Sequence, residues 1–312
     1  MTKLNLALIY GGISSEREVS ISGGEQVFDS LDKNKYDITV YDPKTDLAKL
    51  VSDAYKLDVA LIILHGPYGE DGTIQGLLEL LKIPYQGSGV LGSSLAIDKI
   101  VSKQMYEIND LPVPPSVSVS EGNTINTEKI IAKLGLPIFV KPSTGGSSIG
   151  MSRVENEAEL LPAIEKAFQF DTKVLVESFI EGVELTCGVI GNNDLEALPV
   201  IEIIPDNGTS TFFDYEAKYT PGATREICPA RISETDTERA KNLAKKAHMA
   251  LNLKGYSRTD MILCGDNIYL LETNTIPGMT KTSLLPLAAQ TAGISYSELL
   301  DRLVELALEK MA

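Results

Sequence analysis

Apolar residues in this chain fall in short runs, and the rhythm of those runs changes twice. Leu4–Tyr10, Tyr36–Tyr41 and Val59–Leu64 are dense apolar stretches of strand length, the pattern of strands buried on both faces. Between and after them lie helical spacings. Ser15 is placed to cap a helix with Glu16 and Glu18 in its first turn, and Thr73–Leu81 reads as another helix. Strands alternating with helices predict a doubly wound parallel sheet over residues 1–95.

The rhythm then becomes mixed. Ser93–Asn109 predicts a helix containing Lys99, and Leu111–Pro115 is a proline-marked segment. Glu128–Leu134 reads as a helix, Pro137–Lys141 and Gly150–Val154 as strands, Glu157–Ala167 as a helix and Lys173–Glu177 as a strand. Pro162 implies a kink or a late start in the Glu157–Ala167 helix. This suits an α+β module over residues 96–181. A third unit, 182–312, opens with strands Glu184–Ile190 and Leu198–Ile204, then a polar excursion from Pro205 to Pro229. A loop of that length in a compact domain is often an active-site lid. The helix Glu234–Leu251 carries a core stripe at Ala240, Leu243, Ala244 and Ala247, and Tyr296–Lys310 closes the chain. The expected fold class is α/β combined with α+β.

Bulk properties narrow the function. A length of 312 residues allows two or three units, and 43 % apolar with 23 % charged residues is ordinary for a soluble protein. A net charge of −15 argues against a nucleic-acid binder. Cys187, Cys228 and Cys264 form no CxxC pair and suit a reducing cytoplasm. No run reaches membrane-spanning length and the N-terminus leads straight into a strand, so a cytoplasmic protein is expected. His65 and His248 are too few for a histidine-rich zinc site and give little room for a Ser-His-Asp triad.

The candidate chemistry starts at Gly265-Asp266-Asn267. Thr259–Cys264 and Ile268–Thr273 flank it as an antiparallel hairpin. With Asp266 at the centre, Asp260 lies opposite Glu272, and Asn274 follows on the same face. Opposed side chains have Cβ atoms roughly 4.5–5.5 Å apart, where like charges repel. Two carboxylates and an amide oxygen suit a hard cation, Mg²⁺ first. A solvated hairpin end is the plain alternative. Arg258, two residues before Asp260, shares its face and could stabilise an anionic intermediate.

Other segments have the look of a nucleotide site. Lys141-Pro-Ser-Thr-Gly-Gly-Ser-Ser-Ile-Gly150 joins two strands and exposes backbone N–H groups that can wrap phosphates. It is not a Walker A loop, and a plain surface turn is its bland reading. VLVESFIE, 174–181, offers main-chain groups to a base, with Glu177 as acceptor and Phe179 or Ile180 as walls; interdomain packing is the alternative. Glu184 could accept from a sugar hydroxyl. Phe212–Tyr219 (FFDYEAKY) suits a lid with Lys218 and Tyr219 turned inward, or rings that tuck the loop onto the core. Pro277-Gly278 turns backbone N–H groups toward the hairpin. The GGISSE turn after the first strand lacks the GxGxxG spacing of a dinucleotide fold.

Taken together, GGISSEREVS, HGPYGEDGTIQG, KPSTGGSSIG, FDYEAKY, SRTDMIL and ETNTIPGMT occur in an order that resembles the D-alanine–D-alanine ligase family of the ATP-grasp superfamily. The resemblance implies an ATP-grasp fold and ATP-dependent joining of two D-alanines through an acyl phosphate. It implies two Mg²⁺ ions, with Mn²⁺ as alternative, on Asp260, Glu272 and Asn274. Lys99, Lys141 and Lys218 would contact phosphates under a loop containing Gly145, Gly146 and Ser148. Glu177, Phe179 and Ile180 would frame adenine and Glu184 the ribose. Glu16 would hold the first D-alanine's ammonium, with His65 near its carboxylate. Arg258 and the Gly278 N–H would form the oxyanion hole, and Ser283 and Leu284 would meet the second carboxylate. Tyr219, linked through Ser147 to Glu16, would orient the lid. A homodimer through the N-terminal unit is the family expectation. Ser178 and Thr273 depart from the family pattern; Thr273 should point away from the ions. Rival readings are a ligase with a different second substrate, and a nucleotide-binding regulator that has lost catalysis.

Overall fold

In the computed structural model, residues 3–145, 149–205 and 224–309 are described. The first sheet pairs β1 (Leu4–Tyr10) in parallel with β2 (Tyr36–Tyr41) and β3 (Val59–Ile63), in the order β2-β1-β3. Its β3 is buried throughout and β1 over Leu6–Ile9, because both faces are covered there, whereas β2 is only partly covered. Leu6, Leu8, Val59, Leu61 and Ile63 face one hydrophobic cluster, and Ala7, Ile9, Ala60 and Ile62 face another. The second cluster is closed by Leu50 of α2 (Leu47–Asp53) and by Ile74 and Leu78 of α3 (Thr73–Leu80). The first is closed from far along the chain, by Leu299, Leu300, Leu303 and Val304 of the C-terminal helix, Tyr296–Glu309.

The middle sheet is antiparallel, ordered β4 (Ser116–Ser120), β7 (Lys173–Ser178), β5 (Ile138–Pro142), β6 (Ser152–Val154). Helices α6 (Thr127–Leu134) and α7 (Glu157–Ala167) cover one face through Ile130, Leu134, Leu160 and Ile164. Pro162 sits inside α7 without ending it. The third sheet is ordered β11 (Thr224–Ile227), β10 (Ile201–Pro205), β8 (Val183–Gly191), β12 (Gly255–Cys264), β13 (Asn267–Asn274), with β9 (Glu196–Ala197) on β8. Helix α8 (Glu234–Ala250) packs on it through the expected stripe of Ala240, Ala244 and Ala247.

The segment expected as one helix over Ser93–Asn109 is two, α4 (Val90–Ile97) and α5 (Lys99–Ile108). The break is chemical: the Asp98 carboxylate accepts from the N–H groups of Ile100 and Val101, at 3.0 and 3.1 Å, and caps the second helix. Tyr106 of α5 belongs to the third sheet's core, so this helix joins the middle and third units. Pro205 pairs with Thr224, and the excursion between them, with Lys218 and Tyr219, lies outside the described residues. Among the described residues no helix is long and apolar enough to cross a membrane.

Candidate active site

The hairpin pairs Asp260 with Glu272, but not through the symmetry the sequence suggests. Near the turn, Cys264 faces Asn267 and Met261 faces Leu270, a register one residue out from that of Asp260 and Glu272. Gly265 supplies the tight turn at φ 55°, and a bulge next to Asp260 takes up the extra residue. That bulge brings the two carboxylates level. Asn274 follows on the same face, its amide nitrogen 3.5 Å from Asp260 Oδ2.

Arg258 closes on Asp260 with both ends of its fork, Nε to Oδ1 at 3.0 Å and Nη2 to Oδ2 at 2.9 Å. The Thr186 hydroxyl from β8 donates to Oδ1 at 2.6 Å. Asp260 is 6 % exposed, so its charge would be costly without these partners. Glu272 is more open and lies 3.6 Å from the Lys99 ammonium. Two carboxylates and an amide that brings its own oxygen form a hard-donor set fit for Mg²⁺. Thr273 does point away from this face. Its hydroxyl receives the Tyr106 hydroxyl at 2.7 Å and lies 3.0 Å from Thr259 Oγ1, a buried chain behind the carboxylates.

The middle sheet brings a second group of charges within reach of the hairpin. Lys141 on β5 and Glu177 on β7 lie diagonally on one face and are hydrogen-bonded. Lys103 of α5 reaches the other oxygen of Glu177 at 2.6 Å and donates to Pro114 O at 2.8 Å. Burial pushes the Glu177 carboxyl up, and the two ammonium groups more than reverse it, leaving it at about 2. Burial opposes the charge of Lys141 too, yet its pKa is raised by Glu177, then Glu272 and Glu184. The nucleotide candidates and the metal candidates therefore share one electrostatic field. Lys99 ties them physically: its backbone N–H donates to Ser143 O at 2.8 Å and its ammonium to Gly145 O at 2.7 Å. Gly146, Ser147 and Ser148 lie outside the described residues.

Phe179 follows β7, its N–H bonded to Pro137 O at 3.0 Å. Its ring lies 5.5 Å from that of Phe139, and the Arg153 guanidinium stacks over it at 4.3 Å. Ile180 and Glu184 come next and are half-buried. Ser178 donates to Leu134 O at 2.8 Å, so its short side chain serves the scaffold.

The third corner joins the first unit to the hairpin. Helix α1 spans Arg17–Ser30, and Glu16 stands at its N-cap, one residue past the expected cap. Ser14 Oγ accepts the Glu16 N–H at 3.2 Å and donates to His65 O at 2.7 Å, tying the two loops. The His65 ring bonds the Ile276 main chain, while Nε2 is buried without a partner. Burial and then Arg258 push His65 down to about 4, so it offers a lone pair and no charge. Ser283 is the N-cap of a helix, Leu284–Thr291, that the sequence reading did not contain. No side chain caps it, so its first N–H groups suit a carboxylate. Gly278 lies against Ser283, its ideal Cβ position 3.0 Å from Ser283 Oγ.

Lys103 and Glu70 were not singled out by sequence. Lys103 has no motif signal; its i+4 spacing from Lys99 is that of any helix face. Glu70 lay in plain view within HGPYGEDGTIQG. The GGISSE turn is spoken for by its own fold, since Gly11 N–H goes to Ser20 Oγ and Gly12 N–H to Asp42 Oδ1, at 2.8 and 2.9 Å. Those donors are not presented to a pyrophosphate.

Two antiparallel sheets brought together through Lys99 and Lys141, with paired carboxylates on one of them, accompany the parallel sheet in an ATP-grasp fold. Residues 42–88 match the model of the D-ala D-ala ligase N-terminus and residues 105–305 that of its C-terminus, and the chain belongs to the D-alanine–D-alanine ligase family. It is 59 % identical to the D-alanine–D-alanine ligase of Syntrophobacter fumaroxidans over 307 residues, 98 % of each chain. Among solved structures it resembles the Bacillus anthracis D-alanine–D-alanine ligase complexed with ATP, at TM-score 0.86 and 36 % identity over 98 % of each chain. It also resembles the VanG D-Ala:D-Ser ligase of Enterococcus faecalis, at TM-score 0.85 and 34 % identity over 98 % of this chain and all, 100 %, of that one.

Proposed function

We propose that this protein joins two D-alanines in the bacterial cytoplasm, with ATP cleaved to ADP and phosphate, to supply the dipeptide of peptidoglycan precursors. The observation that carries the reading is the meeting of Arg258, Asp260, Glu272 and Asn274 with Lys99 and Lys141 at one place. Asp260, Glu272 and Asn274 would hold Mg²⁺, two ions in the family pattern, which neutralise charge on the phosphates when bound. Lys99 and Lys141 would hold the phosphates, Glu177, Phe179 and Ile180 the adenine, and Glu184 the ribose. Glu16 would anchor the first D-alanine by its ammonium. Its carboxylate attacks the γ-phosphorus, ADP leaves, and an acyl phosphate remains. The second amine attacks the acyl carbon, the carbonyl electrons move onto oxygen, the nitrogen gives up a proton to solvent, and return of the electrons expels phosphate. Arg258 and the Gly278 N–H would hold that oxyanion. Ser283, Leu284 and the helix N-terminus behind them would hold the second carboxylate.

His65 acquires a different part from the one the resemblance implied. A neutral ring with a bare Nε2 accepts hydrogen bonds, so it suits the N–H of an ammonium better than a carboxylate. Lys218, Ser147 and Tyr219 keep the lid roles implied by the resemblance. A homodimer through the first unit fits the exposed apolar side chains of Leu47, Val51 and Tyr55.

The test is phosphate release from Mg-ATP with D-alanine, L-alanine, D-serine, D-lactate or no acceptor, with products identified by mass. D-alanine-dependent release and a D-Ala–D-Ala mass are expected. A mixed product formed only when D-serine or D-lactate joins D-alanine would move the second-pocket assignment, since one hydroxyl or methyl group shifts selectivity by only about 1–3 kcal/mol. ATP binding with no turnover would favour the regulator.

A further inference from the structure

The loop that carries His65 contains a carboxyl to which the reading above gives no work. Glu70 Oε2 accepts the Gly66 N–H at 2.6 Å. On the other side of the same residue lies Glu16, its Oε2 2.6 Å from where a Gly66 Cβ would stand. Gly66 has φ 69°, which disfavours a side chain, and a Cβ there would collide with the Glu16 carboxylate. Glycine is thus what lets two acidic side chains close on one point of the backbone. Two carboxylates alone would only repel. What marks the place as a receptor is the neighbouring residue in the chain, His65, 8 % exposed, with Nε2 buried and unpartnered. Arg258 lies close enough to act on both His65 and Glu70. Acceptors and a guanidinium gathered at one place fit a zwitterion, an amino acid.

We infer that Glu70 is a second carboxyl of the ammonium pocket, and that it holds a proton which leaves when the amino group of the first substrate enters. The inference rests on the ligase reading and deepens it. Although part of the Glu70 side chain reaches solvent, its carboxyl is enclosed. Burial, and after it the charge of Glu16, push it up to about 8; Glu272 adds to the rise, while the Gly66 N–H and Arg258 oppose it. Tyr256 also faces it, with its own pKa raised by burial, and stays neutral. In the free pocket at neutral pH Glu70 therefore keeps its O–H. An arriving ammonium stabilises the second carboxylate. The O–H bond breaks, its electron pair stays on the carboxyl oxygen, and the proton passes to water. The closed pocket then holds two carboxylates about one ammonium.

This predicts a proton count. D-alanine is titrated by calorimetry into the full-length enzyme loaded with Mg²⁺ and a non-hydrolysable ATP analogue, at pH 7, in two buffers of different ionisation enthalpy. Close to one proton should be released with the first D-alanine bound, and the release should fade as pH rises past 8. Glu70→Gln should abolish the release and weaken binding of the first D-alanine. No release from the unmodified enzyme, or unchanged release from the variant, would overturn the inference. Failure of D-alanine to bind at all would instead sink the ligase reading.

Discussion

Asp260→Asn is expected to lower kcat about 10³-fold, while the protein stays folded and still binds nucleotide. Asparagine keeps the shape and can still receive the Thr186 hydroxyl, so the β-ladder is spared. What it loses is charge, in two places. The proposed metal set would fall from two carboxylates to one, and metal-ion catalysis of this kind contributes several kcal/mol to stabilising transferred phosphoryl charge. A loss of about 4 kcal/mol corresponds to the expected factor. The Arg258 guanidinium also loses the carboxylate that fixes it at 3.0 and 2.9 Å, and with it the aim of the proposed oxyanion site. Steady-state kinetics over a range of Mg²⁺ concentrations would show half-maximal activity moved to higher metal. A fall of less than tenfold at low Mg²⁺ would mean that Asp260 serves only as the anchor of Arg258.

Glu177→Ala should act on stability first. Lys103 and Lys141 would both remain, buried at 3 % and 9 % exposure, with no carboxylate between them. Leaving buried charge unpaired costs about 3–5 kcal/mol, and denaturant unfolding should register a loss of that order. A second change, Lys103→Met, should recover part of it by removing one stranded charge. The pH dependence follows from the depressed carboxyl of Glu177, about 2 when folded against an ordinary 4.5. Its stabilisation is fully present above about 4.5 and disappears as pH falls through 2. The deficit of the variant should therefore be flat from pH 5 to 8 and shrink only in strong acid. A loss under about 1 kcal/mol at pH 7 would show that the lysines can turn to solvent.

The sequence displays its fold where periodicity is strong. The buried parallel strands, the alanine stripe of α8 and the antiparallel hairpin are visible as patterns, because burial on fixed faces demands them. The face-to-face placement of Asp260 and Glu272 was also visible, but for an incomplete reason. A bulge is one extra residue with no residue type of its own, so counting from the turn cannot detect it. Lys103 is hidden for a related reason. It acts through Glu177, 74 positions away, and a lysine on a helix carries no local sign of the carboxylate it will meet. The helix behind Ser283 was missed because Leu284–Thr291 is short and apolar, and Pro286 reads as a breaker although it sits in the first turn, where proline is tolerated. Glu70 was legible as a letter of a motif but not as a titrating group; its behaviour comes from Glu16 and from burial, neither of which lies near it in sequence.

In the proposed function Asp260, Glu272 and Asn274 form the cation clamp of an ATP-dependent ligase. Anomalous scattering from crystals grown with Mn²⁺ and a non-hydrolysable ATP analogue would locate that cation. Manganese peaks are expected within coordination distance of these three side chains, bridging them to the phosphates, with Lys99 and Lys141 on the phosphate oxygens. Bound nucleotide with manganese elsewhere, or with Arg258 still occupying Asp260 and no metal beside it, would contradict the proposed clamp.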